Sequence, residues 1–270
     1  MTIGIFDSGI GGLSVLEQAR KKCPQEDFIF YADVDNVPYG EKTIEQVMSY
    51  CIEAADFLID HGAKLILIAC NTATSVAVEH LRKTLSIPVI GMEPAVKKAV
   101  EQYCNKRVLV AATPITVQGE KMHHLVDLVD TKHQVDLVAL PGLVQFAEKG
   151  IYEGEEVKSY LQTALHEYKL EEYGSFVLGC THFNYFKKAL RDILPEGVKF
   201  VDGIDGTVNR LRQIMEQEAM ITMEAEGLKN SDAHTGKIDY YESKRPIIET
   251  KKLLEIGNRL EYLSLMRNID

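Results

Sequence analysis

Residues 65–74, LILIACNTAT, decide the fold and carry the first candidate catalytic residue. An apolar run follows a glycine turn and stops at Cys70, and the small polar residues after it are typical of a helix start. Such a run predicts a buried parallel strand that leads directly into a helix. Because ligands bind at the carboxyl ends of parallel strands, Cys70 is predicted to lie at a ligand-binding edge.

A second stretch, residues 175–186 (SFVLGCTHFNYF), repeats this pattern. A short apolar strand again runs through a small residue into a cysteine, Cys180, and Thr181 follows at a predicted helix cap. One cysteine at a strand end most often only packs in the core. Two in matching contexts predict a pair of thiols that face each other across a cleft.

Three strand ends recur at a nearly constant displacement along the chain. The offset is 106 residues from Asp7 to Thr113, 110 between the two cysteines and 111 from Val89 to Phe200. This recurrence predicts an α/β fold of two similar lobes, each a mostly parallel sheet flanked by helices. We expect the lobes to be related by a pseudo-twofold axis, with the active site in the cleft between them.

The C-terminal part of the chain is expected to return to the first lobe. The polar segment 216–236 predicts a loop or frayed helix that follows a helix ending near Met215. Residues 238–242 then predict a last strand and residues 247–266 an amphipathic helix. The predicted lobes are residues 1–94 plus 206–270, a discontinuous first lobe, and residues 95–205.

Composition and charge exclude several classes of protein. A chain of 270 residues that is 46% hydrophobic can bury a sizeable core, yet no apolar run is long enough to cross a bilayer. The N-terminal sequence lacks the pattern of a signal peptide, and the cysteines Cys23, Cys51, Cys70, Cys104 and Cys180 form no disulfide or metal spacing. A cytoplasmic protein is therefore expected, and the net charge of −10 argues against nucleic acid as a partner.

A strand–turn–helix unit opens the chain and places polar residues at the same edge. The first strand ends in Asp7 and Ser8, and the glycine turn 9–12 (GIGG) leads into a helix. This turn lacks both the dinucleotide spacing and the lysine of a phosphate loop, so a nucleotide site is not favoured. The next strand leads to the turn DNVPYG, which carries Tyr39 and Gly40.

Four motifs in this order resemble the bacterial glutamate racemase family of cofactor-independent amino-acid racemases. They are GIFDSGIGGLSV at 4–15, DVDNVPYG at 33–40, ACNTAT at 69–74 and LGCTH at 178–182. The resemblance covers residues 3 to about 207. It implies glutamate as substrate, D-glutamate supply for peptidoglycan, and commonly a homodimer.

The resemblance assigns Cys70 and Cys180 as the two acid–base groups. Inversion of an α-carbon requires that one proton leave one face while another arrives at the opposite face. A thiol and a thiolate can do this in either direction. Asp7 is expected to assist the first thiol and His182 the second, and Glu148 resembles a family position near the second thiol.

No motif supplies an arginine or lysine for the substrate carboxylates, so neutral donors at helix starts are expected. The resemblance implies Asp7 and Ser8 at the amino group, Asn71, Thr72 and Thr181 at the α-carboxylate, Tyr39 and Gly40 at the distal carboxylate, and Thr113, Thr116 and His182 as further contacts.

No metal or cofactor site is predicted. His123 and His124 have no carboxylate or thiol at ligand spacing. Pyridoxal phosphate would need a Schiff-base lysine with a phosphate loop, and neither is evident. Departures from the family pattern at Phe183 and Asn184 leave an aspartate racemase as an alternative. Two others stay open: a hydrolase or transferase that uses one cysteine with His182 as its base, and a module that binds an amino acid without converting it.

Overall fold

Strands and helices alternate along most of the chain, as the sequence predicts. The computed structural model describes residues 1–102, 106–226 and 236–269, so Cys104 and residues 227–235 of the predicted loop lie outside the described residues. The first elements are β1 (Thr2–Asp7), α1 (Leu13–Lys22), β2 (Asp27–Ala32), α2 (Ile44–Asp60), β3 (Leu65–Ile68), α3 (Asn71–Thr84), β4 (Val89–Ile90) and α4 (Ala95–Gln102).

The remaining elements continue this alternation and end in a hairpin and a helix. The middle ones are β5 (Arg107–Ala112), α5 (Pro114–Gln118), α6 (Glu120–Val129), β6 (Val135–Ala139), α7 (Pro141–Glu148), α8 (Glu155–Leu165), β7 (Tyr173–Leu178), α9 (Lys187–Arg191) and β8 (Lys199–Val201). The last are α10 (Ile204–Glu226), β9 (Ile238–Glu242), β10 (Arg245–Pro246) and α11 (Thr250–Met266). Short 3₁₀ helices span Ile10–Gly12, Tyr39–Glu41, Leu170–Glu172 and Thr181–Phe186.

Two sheets form the centres of the two lobes. Their strand orders are β10-β9-β2-β1-β3-β4 and β6-β5-β7-β8, and every neighbouring pair is parallel except β9 with β10. The order β2-β1-β3-β4 in the first sheet therefore recurs as β6-β5-β7-β8 in the second. The predicted fold class, two α/β lobes of similar topology, is confirmed.

Equivalent hydrogen bonds align the two candidate cysteines at the carboxyl edges of the sheets. In the first lobe the Ala69 amide donates to the Phe6 carbonyl at 2.8 Å. In the second lobe the Gly179 amide donates to the Ala111 carbonyl, also at 2.8 Å. Cys70 follows Ala69 and Cys180 follows Gly179, so the chain leaves both sheets at the same point of the hydrogen-bond ladder.

The apolar pattern of β3 and β7 explains why both are interior strands of their sheets. All four residues of β3 are fully buried, and all six of β7 are buried. Strands that are covered by helices on both faces read as continuous apolar runs rather than alternating ones. Helix α2 covers one face of the first sheet and begins at a capping box in which Thr43 and Gln46 satisfy each other's backbone amides.

The C-terminal part pairs with the first sheet, as expected. Strand β9 runs parallel to β2, from the pair Phe28 and Ile238 to the pair Ala32 and Glu242. We propose that the lobes divide as residues 1–94 plus 206–270 and residues 95–205.

Three details differ from the prediction. Helix α10 continues from Ile204 through residue 226 instead of ending near Met215, so residues 216–226 take the helical alternative of the predicted loop or frayed helix; they contain no glycine or proline and are rich in helix formers. The sequence of residues 87–92, IPVIGM, predicts a longer strand than the two residues of β4 that the structure shows, since Pro88 and Gly91 flank them. The short strand β10 was not anticipated.

Within the described residues, no helix has the length and apolar character needed to span a bilayer.

The central position of β3 predicts a large cost for shortening one of its side chains. Leu67 is fully buried, whereas Leu128 on α6 is 65% exposed. Leu67→Ala should destabilise the fold by about 2–5 kcal/mol because it leaves a cavity, and Leu128→Ala should change stability by less than about 0.5 kcal/mol. Urea unfolding followed by circular dichroism measures both, and equal shifts in the two variants would contradict this packing.

Candidate active site

The Cys70 thiol lies in a buried position at the start of α3. It caps the helix, since the Ala73 amide donates to Sγ at 3.4 Å, and Sγ itself lies 3.6 Å from the Ser8 hydroxyl. Burial raises the pKa of the Cys70 thiol to about 12, and the charges of Asp7 and Cys180 add to this shift. Cys70 is therefore held as a neutral thiol, and the two candidate cysteines lie near enough to influence each other.

Cys180 has a different neighbour. Its Sγ lies 3.7 Å from Nδ1 of His182, and His182 Nε2 lies 2.7 Å from Oε1 of Glu148. Burial alone would lower the pKa of His182, but the hydrogen bonds to Cys180 and Glu148 outweigh it and raise that pKa well above the usual value. The imidazole is thus held as an imidazolium between a sulfur and a carboxylate.

Glu148 completes this chain of hydrogen bonds from the end of α7. Burial opposes its ionisation, yet the bond to His182, the Ile10 amide at 2.9 Å and the charge of Arg259 lower the pKa of the Glu148 carboxyl. Because Ile10 belongs to the first lobe and Glu148 to the second, the carboxylate also joins the lobes.

Asp7 lies at the end of β1, next to β3, which bears Cys70 at its tip. Its carboxylate accepts hydrogen bonds from the Gly9 amide at 3.1 Å, from the Ser8 hydroxyl at 3.3 Å and, across the cleft, from the Thr181 hydroxyl at 2.9 Å. Burial is the largest influence and raises the pKa of Asp7, despite the opposing charge of His182. Asp7 therefore takes up a proton at a higher pH than an ordinary carboxylate does.

The glycines of the GIGG turn are explained by this close approach of the two lobes. A Cβ at Gly9 would collide with the Glu148 carboxylate, and one at Gly11 would lie 2.5 Å from both His182 Nδ1 and the Thr181 hydroxyl. The turn therefore admits side chains of the second lobe, and its glycines need no phosphate ligand to account for them.

Three threonine hydroxyls meet between the lobes. Thr72 lies 2.9 Å from Thr113 and 3.3 Å from Thr116, and the last two are 3.0 Å apart. All three side chains are buried. They form a cluster of neutral hydroxyls, and the predicted roles of Thr72 at the α-carboxylate and of Thr113 and Thr116 as further substrate contacts stay predictions.

The Tyr39–Gly40 loop lies against the same cluster. A Cβ at Gly40 would come within 2.6 Å of the Thr113 Cβ, so only glycine allows this contact. The Tyr39 ring is 1% exposed, and its hydroxyl donates to Asp33 Oδ2 at 2.7 Å. Burial raises the pKa of Tyr39 above its ordinary value, and the charge of Asp33 adds to it.

Asn71 lies at a cavity whose lining does not include the two candidate cysteines. This mostly apolar cavity of about 780 Å³ is lined by residues of both lobes, among them Asn71, Thr116 and Gly179. The side-chain oxygen of Asn71 is buried without a hydrogen-bond partner within the described residues. It is therefore available to a donor group of a bound molecule.

The structure adds residues that the sequence reasoning missed and corrects one position. Cys180, not Thr181, is the residue that precedes the 3₁₀ helix as its cap. The Tyr185 hydroxyl donates to the Ile10 carbonyl at 3.2 Å, and Arg259 on α11 acts on Glu148. Tyr185 lies within the quoted stretch 175–186 and could have been suspected, whereas no pattern marks Arg259 because helix–lobe packing alone brings it to the site.

Known proteins resemble this chain over its whole length. A family model described as Asp/Glu/Hydantoin racemase matches residues 13–211. A glutamate racemase from Campylobacter curvus is 47% identical over 275 residues and covers 100% of both chains. Crystal structures of glutamate racemase from Campylobacter jejuni and, with D-glutamate, from Francisella tularensis superpose with TM-scores of 0.78 and 0.76 at 28% and 26% identity. They cover 98% and 96% of this chain and 99% and 92% of theirs. The chain therefore belongs to the Asp/Glu/hydantoin racemase family and, within it, to the glutamate racemases.

Proposed function

We propose that this protein interconverts L- and D-glutamate without a cofactor, using Cys70 and Cys180 as the two acid–base groups. The observation that carries the proposal is the pairing of two buried thiols at equivalent strand ends of the two lobes, each with its own proton partner. One base on each side of a bound amino acid is the minimum that inversion of a stereocentre requires.

The side of Cys180 is prepared to accept a proton. An imidazolium at His182, 3.7 Å from the sulfur, stabilises the thiolate form of Cys180. The thiolate removes the α-proton from one face of the substrate, which leaves a planar carbanion. The sulfur becomes a neutral thiol when it takes the α-proton, so His182, which is held by Glu148, keeps its own proton and its charge while the carbanion exists.

The side of Cys70 is prepared to give a proton. Its thiol is neutral at the start of the reaction because burial and Asp7 hold its pKa high. The thiol protonates the opposite face of the carbanion and is left as a thiolate. After the product leaves, Asp7, whose raised pKa favours uptake of a proton, can take one from solvent and pass it to Cys70, while Cys180 releases the proton that it gained. The same steps in the opposite order convert the other enantiomer.

Substrate orientation follows from the donors that surround the thiols. The ammonium group of glutamate suits the carboxylate of Asp7 and the hydroxyl of Ser8. The α-carboxylate suits the start of α3 and the hydroxyls of Thr72 and Thr181, where helix amides and hydroxyls replace water. The distal carboxylate then lies toward the Tyr39–Gly40 loop.

Glutamate is favoured over aspartate because the relative at 47% identity over its full length is a glutamate racemase. The pairing of Cys180 with His182 also suits a single-cysteine hydrolase. Such an enzyme would give no role to Cys70 and its buried Asp7, and a module that only binds an amino acid would need neither thiol.

The biological role that we propose is the supply of D-glutamate for peptidoglycan. A mechanism that depends on two reduced thiols suits the reducing cytoplasm. We also propose a homodimer, which size-exclusion chromatography with light scattering measures directly.

Loss of either thiol should abolish racemisation, because each enantiomer needs one base and one acid. Cys70→Ser and Cys180→Ser should each lower kcat by at least about 10²-fold, measured by circular dichroism of glutamate without added cofactor. Wild-type enzyme in heavy water should place deuterium at the α-carbon of the product. Cys23→Ser, at a buried cysteine outside the site, serves as the control and should retain activity. Full-rate racemisation by either serine variant would refute the two-thiol mechanism.

Removal of the Glu148 carboxylate should shift the pH dependence. In wild-type protein the raised pKa of His182 keeps the imidazolium at a pH above the ordinary histidine value of about 6.5, so kcat/KM falls only as the pH rises through that raised pKa. Glu148→Gln lowers the pKa of His182, and the alkaline limb of the profile should move to lower pH. Glu153→Gln, at an exposed carboxylate that pairs with Lys188, is the matched control. An unchanged alkaline limb in Glu148→Gln would assign that limb to another group.

A further inference from the structure

We propose that Asp33 and Ser243 are positioning residues that hold the Tyr39–Gly40 loop in its substrate-binding conformation. The hairpin of β9 and β10 then serves substrate binding as well as the completion of the first sheet. This inference rests on the proposed function, since it concerns the loop assigned to the distal carboxylate of glutamate. We call the group Asp33, Asn36, Tyr39 and Ser243 the Asp33 brace.

Asp33 is a buried carboxylate that is surrounded by three neutral donors from two segments, the loop after β2 and the hairpin turn. It is 3% exposed. The Tyr39 hydroxyl donates to Oδ2 at 2.7 Å, the Asn36 amide lies 3.0 and 3.1 Å from the two oxygens, and the Ser243 hydroxyl donates to Oδ1 at 3.0 Å. Hydrogen bonds to an ionised acceptor are the strong ones, so this one carboxylate fixes the loop and the hairpin relative to β2.

The hairpin turn keeps an unfavourable backbone to make this contact. Ser243 and Lys244 have φ angles of 42° and 70°, in the left-handed region, and they form the two-residue connection between β9 and β10. Turns of this kind favour Asn-Gly because left-handed φ is costly for other side chains. Strain that persists in a folded protein points to a contact that compensates for it.

The Ser243 hydroxyl makes two hydrogen bonds that provide this compensation. It accepts a hydrogen bond from the Asp35 amide at 3.0 Å while it donates to Asp33. The Ser243 amide also donates to the Ala32 carbonyl at 2.8 Å and so extends the β2–β9 ladder past its last pair. A glycine at 243 would preserve the turn but would lose both side-chain bonds.

The brace reaches the active site through Tyr39 and Gly40. The Tyr39 ring belongs to the same buried cluster as Cys70, and Gly40 fits against Thr113 with no space for a side chain. A loop that is held on one side by Asp33 and on the other by Thr113 presents its amides in one arrangement. If the hydrogen bonds to Asp33 are lost, the loop can adopt other conformations. Substrate binding then weakens, whereas proton transfer is less affected.

The test is Ser243→Gly compared with Lys244→Gly. Both substitutions relieve a left-handed backbone in the same turn, but only the first removes a hydrogen bond to the brace. Lys244→Gly loses an exposed ion pair with Glu53, which contributes little. Ser243→Gly should raise KM for glutamate about tenfold, as expected for a lost hydrogen bond to a charged group, with kcat within about twofold. Lys244→Gly should leave both constants unchanged, and neither variant should lower the thermal midpoint.

Rescue and coupling separate positioning from a purely structural effect. Ser243→Asn tolerates the left-handed turn and offers an amide donor, so its KM should lie between those of wild type and Ser243→Gly. In a Tyr39→Phe background, which already lacks the hydrogen bond from the Tyr39 hydroxyl to Asp33, Ser243→Gly should raise KM by less than about twofold, because both changes act through the link between Asp33 and Tyr39.

A second readout does not depend on activity. Amide hydrogen exchange of residues 36–41 should be faster in Ser243→Gly than in Lys244→Gly or wild type. Equal KM values or equal exchange in the two glycine variants would overturn the brace. If wild-type protein does not racemise glutamate, the proposed function fails, and the exchange experiment still decides the brace by itself.

Discussion

The part-buried hydrogen bond between His182 and Glu148, 2.7 Å long, is the interaction on which the rest of the site depends. It raises the pKa of the histidine beside Cys180, and the same carboxylate oxygen accepts a hydrogen bond from the Ile10 amide of the opposite lobe. Because His182 is buried and Glu148 is mostly shielded from solvent, each would be expensive to leave unpaired. The glycine turn of the first lobe follows from this requirement, since a side chain at Gly9 would occupy the space of the carboxylate.

The sequence predicted the fold well because its main signals are local. Apolar runs that end in Cys70 and Cys180 identify strands whatever the rest of the chain does, and the constant spacing between strand ends revealed the doubled lobe. The resemblance to a family placed the candidate site residues, whose roles stay predictions. Errors arose where local signals were given too little weight: helix formers prolong α10 through residues 216–226, and Pro88 and Gly91 limit β4 to two residues.

The residues that escaped prediction share one physical property: their neighbours are distant in sequence. Arg259 acts on Glu148 from a helix more than 100 residues later, and Ser243 reaches Asp33 from 210 residues away. Neither has a local pattern, because an arginine on an amphipathic helix and a serine in a turn are both ordinary. Only the pairing of β9 with β2 brings the serine to the carboxylate.

The doubled architecture places a cysteine at the equivalent position of each lobe, and the proposed mechanism requires that the two thiols differ. Two neighbouring thiolates in a buried site would repel each other strongly, so one proton must remain with the pair. The surroundings decide where it rests. Cys70 has a carboxylate, Asp7, as neighbour, and the pKa of its thiol is raised, whereas Cys180 lies 3.7 Å from the imidazole of His182, whose pKa is raised as well. Under the proposed mechanism, each turnover transfers the proton of the pair from one sulfur to the other. Symmetric strands thus position the thiols, and their unlike neighbours, Asp7 and His182, distinguish them before the substrate arrives.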